Sequence, residues 1–272
     1  MIKALFFDLD GTLLNSAKRI PDSAAAALKK CREKGVRVFL ATARSDRLSI
    51  MLGWTEREYA LFDGGIYCNG GCCRTGGETE YVYIPKEAVD TCVRIAAEYP
   101  EVHLSLHMQG NLHAFNYTLP QDMYGPWGVS KDDILPLSEE IYGGVMKILM
   151  FTHDLVNDAL PLPPALFDRL QTECGDIAKL YLSDRGKTVQ VVSRDVGKFA
   201  AIERLRVQLG LTKEEIAVFG DDVNDIEMLQ NYPCSIAMGN AVPEVKQVAA
   251  YTTKSNDEDG IAYGIEEILK LI

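Results

Sequence analysis

The 272-residue chain is 47% hydrophobic and 25% charged, the make-up of an ordinary globular protein with room for one large domain or for a main domain and a smaller one. Its formal net charge of −11 argues against non-specific binding to nucleic acid or to an anionic membrane surface. No apolar run is long enough to span a bilayer, and the first one is broken by two acids and offers no cleavage site, so a cytoplasmic location is expected.

Residues 2–7 form an apolar run too short for a normal helix, which predicts a strand buried on both faces. The run ends in Asp8-Leu9-Asp10-Gly11-Thr12. Ligands bind beyond the carboxyl ends of the strands in an open parallel sheet, so Asp8 and Asp10 are expected at the mouth of a site. A helix over 24–33, stopped by Gly35, and a strand over 36–41 complete a strand-helix-strand unit whose strands should be parallel neighbours. The second strand ends in Thr42-Ala43-Arg44. Thr42 is expected to offer a hydroxyl and a backbone N–H to an anion, or to cap a helix starting near Ser45; the two roles are compatible. Residues 59–62 and 66–68 read as short strands, and Asn69-Gly70 as a turn.

From about Tyr81 the pattern changes. A strand is expected over 81–84, a helix over 85–98, and an antiparallel pair over 102–108 and 112–116 around Gly110-Asn111. Strand, helix, strand and strand follow over 143–151, 164–173, 177–182 and 188–192, with the Pro-rich piece 160–164 leading into the helix. Consecutive strands without intervening helices predict an α+β domain inserted between the halves of the first. The α/β alternation returns at Val196. Lys198 opens a helix to Leu209 capped by Gly210, and a strand over 216–219 ends in Gly220-Asp221-Asp222-Val223-Asn224-Asp225. A helix over 226–229, a strand over 234–238 and a closing helix over 261–271 complete the chain. The expected fold is α/β: a Rossmann-like doubly wound parallel sheet core over 1–80 and 188–272, with an inserted α+β cap domain over 81–187.

Cys68, Cys72 and Cys73 cluster, and His103 and His107 lie four residues apart. Neither group has the paired Cys-x-x-Cys spacing of a structural zinc site, so the cysteines are expected to be reduced and packed as small apolar residues.

Several strand or helix ends therefore offer residues to one site: Asp8 and Asp10, Thr42, Lys198, and Asp221, Asn224 and Asp225. This is chemistry suited to phosphoryl transfer. A carboxylate can attack phosphorus to give an aspartyl-phosphate. A hard divalent cation, Mg²⁺ by its preference for oxygen ligands, would cancel the charge that repels the nucleophile. A lysine with hydroxyl or amide donors can bind the equatorial oxygens. A second acid two residues along can protonate the leaving oxygen and then activate water.

On these residues the sequence resembles the haloacid dehalogenase superfamily of phosphohydrolases, in its Cof-type branch, subclass IIB, with the larger cap. Phe7-Asp8-Leu9-Asp10-Gly11-Thr12-Leu13 is similar to the first family motif, Ala41-Thr42-Ala43-Arg44 to the second, Lys198 to the third, and Gly220 to Asp225 with Met228-Leu229 to the fourth. The resemblance implies that Asp8 is nucleophile and metal ligand, and that Asp10 is general acid/base with its backbone carbonyl on the metal. It implies Asp221 as a further ligand, with Asp225 supporting the metal shell and Lys198. The Leu9 and Ala43 amides, Thr42, Lys198 and Asn224 would hold the phosphoryl group. Ala43 and Phe199 stand where the family usually has glycine, and Phe199 is expected to narrow the pocket; Asp222 stands where a small polar residue is usual and is expected to face solvent. The cap would choose the leaving group, with Arg185, Lys187, His107 and Asn116 as candidate selectors, and Asn69-Gly70 would shape the junction before it.

The implied activity is Mg²⁺-dependent hydrolysis of a small phosphorylated metabolite, such as a sugar phosphate, by a monomer or weak homodimer with no nucleic-acid or membrane partner. A phosphomutase on the same scaffold is the alternative. A non-catalytic sensor is disfavoured because Asp8, Asp10, Lys198 and Asp221 are all present, and dehalogenation because its chemistry would leave the metal-binding acids superfluous.

Overall fold

A computed structural model describes residues 1–152 and 161–272, the side chain of Arg185 excepted. The strands run in chain order as β1 (Ala4–Phe7), β2 (Arg37–Ala41), β3 (Gly64–Tyr67), β4 (Cys72–Thr75), β5 (Glu78–Tyr81) and β6 (Val102–Met108). They continue as β7 (His113–Phe115), β8 (Val145–Thr152), β9 (Ala178–Ser183), β10 (Thr188–Ser193), β11 (Ile216–Gly220), β12 (Cys234–Ala237) and β13 (Tyr251–Thr252). The chain divides into two units, Met1–Arg44 with Leu52–Glu80 and Lys198–Ile272, and Ser45–Met51 with Tyr81–Gly197.

The first unit is built on an eight-stranded sheet in the order β13-β12-β11-β1-β2-β3-β4-β5. It is parallel from β13 to β3 and turns antiparallel at the β3–β4 hairpin. β1 lies inside it because its side chains are apolar on both faces: Ala4, Leu5, Phe6 and Phe7 are all fully buried. Phe6 stacks on Phe39 and Phe7 on Phe219, tying β1 to both neighbours. Phe7 pairs with Leu40 on one side and Phe219 on the other. The chain therefore leaves all three strands at one level, and that register brings Asp8, Thr42 and Asp221 to the same edge.

The second unit holds an antiparallel sheet in the order β7-β6-β8-β10-β9. Period-two alternation puts Leu104, Leu106, Ile148, Met150, Val189 and Val191 on one face. That face packs with Val89 and Cys92 of the helix Lys86–Ala97 and with Leu166 and Leu170 of the helix Pro164–Cys174.

Several local expectations are corrected. Residues 59–62 are not a strand: Thr55 and Glu58 form a capping box that starts the helix Glu56–Tyr59. The strand expected over 81–84 is β5, which ends at Tyr81. The helix expected near Ser45 begins at Leu48. The closing helix is Gly260–Tyr263 followed by a π-helical turn over Gly264–Ile268. The division expected after residue 187 does not fall between sheets, because β10 pairs with β8 and β9 and residues up to Gly197 stay with the second unit. Leu160, the first residue of the expected helix lead-in, lies outside the described residues; Pro163 caps the helix that Pro164 opens. Among the described residues no helix is long and apolar enough to cross a membrane.

Candidate active site

Beyond β1 the chain turns back sharply, with Leu13 N donating to Asp8 O and Leu14 N to Leu9 O. Gly11 makes the turn with φ +77°, and a Cβ there would overlap the Asp221 carboxylate. Thr12 Oγ1 donates to Asp221 Oδ1 at 2.7 Å, and Asn240 Nδ2 donates to Gly11 O at 2.7 Å. The first and last acidic strand ends are thereby fastened together.

Lys198 opens the helix Lys198–Leu209 and is itself fully buried. Its Nζ donates to Asp8 Oδ1 at 2.5 Å and to Asp225 Oδ1 at 2.7 Å. Asp225 Oδ2 accepts from the backbone amides of Asp221 at 3.0 Å and Asp222 at 3.2 Å, so both its oxygens are engaged. Asp8, Asp221 and Asp225 offer carboxylate oxygens within 4.8 Å of one another. One buried ammonium does not neutralise three such carboxylates. Burial, reinforced by Asp225 and Asp10 and opposed by Lys198, pushes the Asp8 carboxyl up to about 7. Burial and the charges of Asp8 and Asp225 push Asp221 up to about 9. Lys198 is shifted upward despite its burial, because the two aspartates favour its charged form. A cluster short of positive charge and made only of carboxylate oxygens fits a hard divalent cation.

The Asp10 side chain, expected as general acid/base and not as a metal ligand, has partners of its own. It lies outside this cluster and accepts a bidentate fork from Arg44, Nε to Oδ2 at 2.5 Å and Nη2 to Oδ1 at 2.8 Å, with Lys18 Nζ on Oδ1 at 2.7 Å. Burial opposes its ionisation, but the Arg44 fork and Lys18 outweigh that and hold it near 2.

Thr42 is buried at the end of β2. Its N–H, expected to be available to an anion, is already given to Ile66 O at 2.8 Å; its hydroxyl accepts from Arg44 N at 3.1 Å and keeps its own proton to donate. Asn224 is buried, with Nδ2 donating to Asn69 Oδ1 at 3.0 Å, so Asn69 orients a residue of the acidic segment after β11. Leu9 is buried in the turn and Ala43 half-buried beside Thr42. Asp222 does not simply face solvent: it is the N-cap of the turn that carries Asn224 and Asp225. Phe199 packs edge-on against Tyr232 with the Lys213 ammonium over its ring.

Of the proposed selectors in the second unit, Asn116 is structural. Its Oδ1 accepts from Leu104 N at 2.7 Å and its Nδ2 donates to Val102 O at 2.9 Å, clamping the chain to β6. His107 is buried between His113 and Trp127. Lys187 is half-buried at the end of the turn Asp184–Gly186. The Arg185 side chain lies outside the described residues. Sequence reasoning gave no role to Arg44 and Thr12, which stand inside the second and first motifs, or to Lys18 and Asn240.

The haloacid dehalogenase-like hydrolase profile matches residues 5–265. The putative phosphatase YkrA of Bacillus subtilis is 28% identical over 275 residues, covering 98% of this chain and 97% of its own. The 5-amino-6-(5-phospho-D-ribitylamino)uracil phosphatase YwtE of the same organism is 27% identical over 305 residues, covering 98% of each. Among solved structures, the subclass IIB sugar phosphatase BT4131 superposes with a TM-score of 0.79 at 28% identity, covering 99% of this chain and 100% of that one. The match runs through both acidic strand ends, Lys198 and the inserted unit alike: this chain belongs to the haloacid dehalogenase-like hydrolase family, among its phosphatases.

Proposed function

We propose that the protein hydrolyses a phosphate monoester of a small metabolite, such as a sugar phosphate, through an aspartyl-phosphate on Asp8, with Mg²⁺ as cofactor. The observation that carries this reading is the buried set in which Lys198 bridges Asp8 and Asp225 while Asp221 closes the cluster. Asp8 and Asp221, with the Asp10 backbone carbonyl, would hold the cation, and Asp225 would orient the set. When bound, the cation supplies positive charge against phosphate oxygens and the nucleophile.

The chain's own residues account for the rest. Asp8 attacks phosphorus as the leaving oxygen departs with a proton from Asp10. Lys198, the Thr42 hydroxyl, the Asn224 amide and the Leu9 and Ala43 amides bind the remaining phosphoryl oxygens, where charge develops. Water then attacks the aspartyl-phosphate with Asp10 taking its proton. The unit Tyr81–Gly197 is read as a cap that selects the leaving group.

The test is phosphate release from sugar phosphates, nucleotides and other phosphate monoesters, with Mg²⁺, with EDTA, and with Asp8→Asn. Turnover that requires both Mg²⁺ and Asp8 is expected. No release from any ester would sink the hydrolytic reading.

A further inference from the structure

Between the loop that follows Leu14 and the segment from Leu52 to Leu61, the first unit holds a cavity of about 570 Å³, the size of a small-molecule site. None of Asp8, Asp221, Asp225 or Lys198 lines it. Its first lining segment is fixed in place. Asn15 N donates to Arg19 O and Arg19 N to Asn15 Oδ1, both at 3.0 Å, and Lys18 N donates to Asn15 O at 2.9 Å. Ser16 ties this loop to Asp257, its N–H on Oδ1 at 2.8 Å and its hydroxyl on Oδ2 at 2.5 Å. The second lining segment supplies an apolar surface. Trp54 is buried, stacked on Phe62 with 5.6 Å between centroids and edge-on to Tyr59 at 5.5 Å, and Leu52 and Leu61 share the lining with it.

The polar groups of the lining differ in what already holds them. Lys18 gives its ammonium to Asp10 at 2.7 Å, and Glu58 Oε2 accepts from Thr55 N at 2.8 Å and Thr55 Oγ1 at 2.7 Å. Arg57 and Asp22 make only a loose, exposed pair at 3.5 Å. The Arg19 guanidinium and the Asn15 Nδ2 amide have no hydrogen-bond or ion-pair partner among the described residues. A guanidinium offers only donors, in a planar fork that matches a carboxylate or phosphate. Beside an apolar surface, that donor set suits an anionic head on an apolar body.

We propose that this cavity is a second binding site, for a small organic anion. Arg19, with Arg57 and Asn15, takes a carboxylate or phosphate-like head, and Trp54, Leu52 and Leu61 take an aromatic or aliphatic body. Neither the cavity nor its occupant depends on the hydrolytic reading.

The test is made on the full chain in EDTA. There the active-site cluster sets three carboxylates against one ammonium and repels anions, so binding reports the cavity. The chain has two tryptophans, Trp54 and Trp127, and fluorine NMR of the fluorotryptophan-labelled protein reads each separately. The Trp54 signal is the one kept in Trp127→Phe or, where that variant does not fold, the one lost in Trp54→Phe. Phenylphosphonate is the probe, phenylacetate carries the carboxylate head, methylphosphonate lacks the ring and benzyl alcohol lacks the charge. Phenylphosphonate is expected to move the Trp54 signal saturably with a Kd below about 5 mM, and the tighter of it and phenylacetate names the head group. Arg19→Gln removes an exposed side chain and leaves the backbone bonds of its loop, and should weaken phenylphosphonate about tenfold. Methylphosphonate and benzyl alcohol should each bind at least about threefold more weakly than phenylphosphonate. A Kd above about 5 mM for both phenyl acids, a loss below about threefold in Arg19→Gln, or benzyl alcohol binding as tightly as phenylphosphonate would overturn the proposal.

Discussion

Replacing Lys198 by methionine removes the single ammonium that serves two buried carboxylates and keeps most of the side-chain volume. Two hydrogen bonds to charged partners, at 2.5 and 2.7 Å, are lost. At about 1.5–3 kcal/mol each they amount to about 3–6 kcal/mol. Breaking a buried ion pair from one side costs about 3–5 kcal/mol by a separate argument, since it strands the other charge. The two agree at about 4 kcal/mol, a drop in Tm of roughly 8–16 °C for a protein of this size. The loss should depend on pH. Asp8 in the folded protein already sits at about 7, above its unfolded value, with Lys198 opposing the rise. An acid raised in this way holds its proton in the folded state at low pH and costs stability as pH climbs through the interval between its two values. Without Lys198 that interval widens upward. Lys198→Met should therefore cost more at pH 8 than at pH 5, measured by thermal and denaturant unfolding in EDTA. A loss below about 1 kcal/mol, far short of a broken buried pair, would refute the reasoning, and so would an equal loss at both pH values.

Mg²⁺ at about 100 times its Kd should stabilise the protein by about 2.7 kcal/mol, or roughly 5–10 °C in Tm. The gain should be present at pH 8, reversed by EDTA, and largely lost at pH 5, where Asp8 and Asp221, raised to about 7 and about 9, hold protons the cation must displace. Gly11→Ala should cost the left-handed backbone penalty of about 1–2 kcal/mol and also displace the Asp221 carboxylate, abolishing the cation's thermal shift. Gly35→Ala is the control: its φ is +82° but no atom lies within 4 Å of the added Cβ, so only the backbone penalty should appear. Thr55→Ala should lower stability by about 1 kcal/mol by removing the capping box of the helix Glu56–Tyr59, with no effect on cation binding.

The buried strands were legible because burial on both faces leaves a sequence mark that neighbours cannot erase. β1 and β11 read as apolar runs, and the acids that end them must lie at the carboxyl edge of a parallel sheet. Lys198 was legible as the first residue of a helix entering that edge. The Arg44 fork was not, since a motif arginine looks the same whether it faces solvent, substrate or Asp10. Thr12 on Asp221 and Asn69 on Asn224 join residues 209 and 155 positions apart, and no local pattern encodes such pairs. The misread strand at 59–62 shows apolar content winning over a capping signal that was there to read in Thr55 and Glu58. In the second unit, Trp127, Leu119 and Val129 cluster with Phe115 and Phe151 in segments with almost no periodicity, so no local pattern predicts an element there.

The central claim is that Asp8 carries the phosphoryl group, and the most direct measurement is to trap it. The native enzyme turning over a phosphate monoester with Mg²⁺ is quenched in acid and treated with borohydride, which converts an aspartyl-phosphate to homoserine, and the peptide containing Asp8 is then sequenced by mass spectrometry. Homoserine at position 8, formed only with substrate present and lost when EDTA is added, is the predicted result. Phosphate release by Asp8→Asn at the native rate, or homoserine at another position, would contradict it.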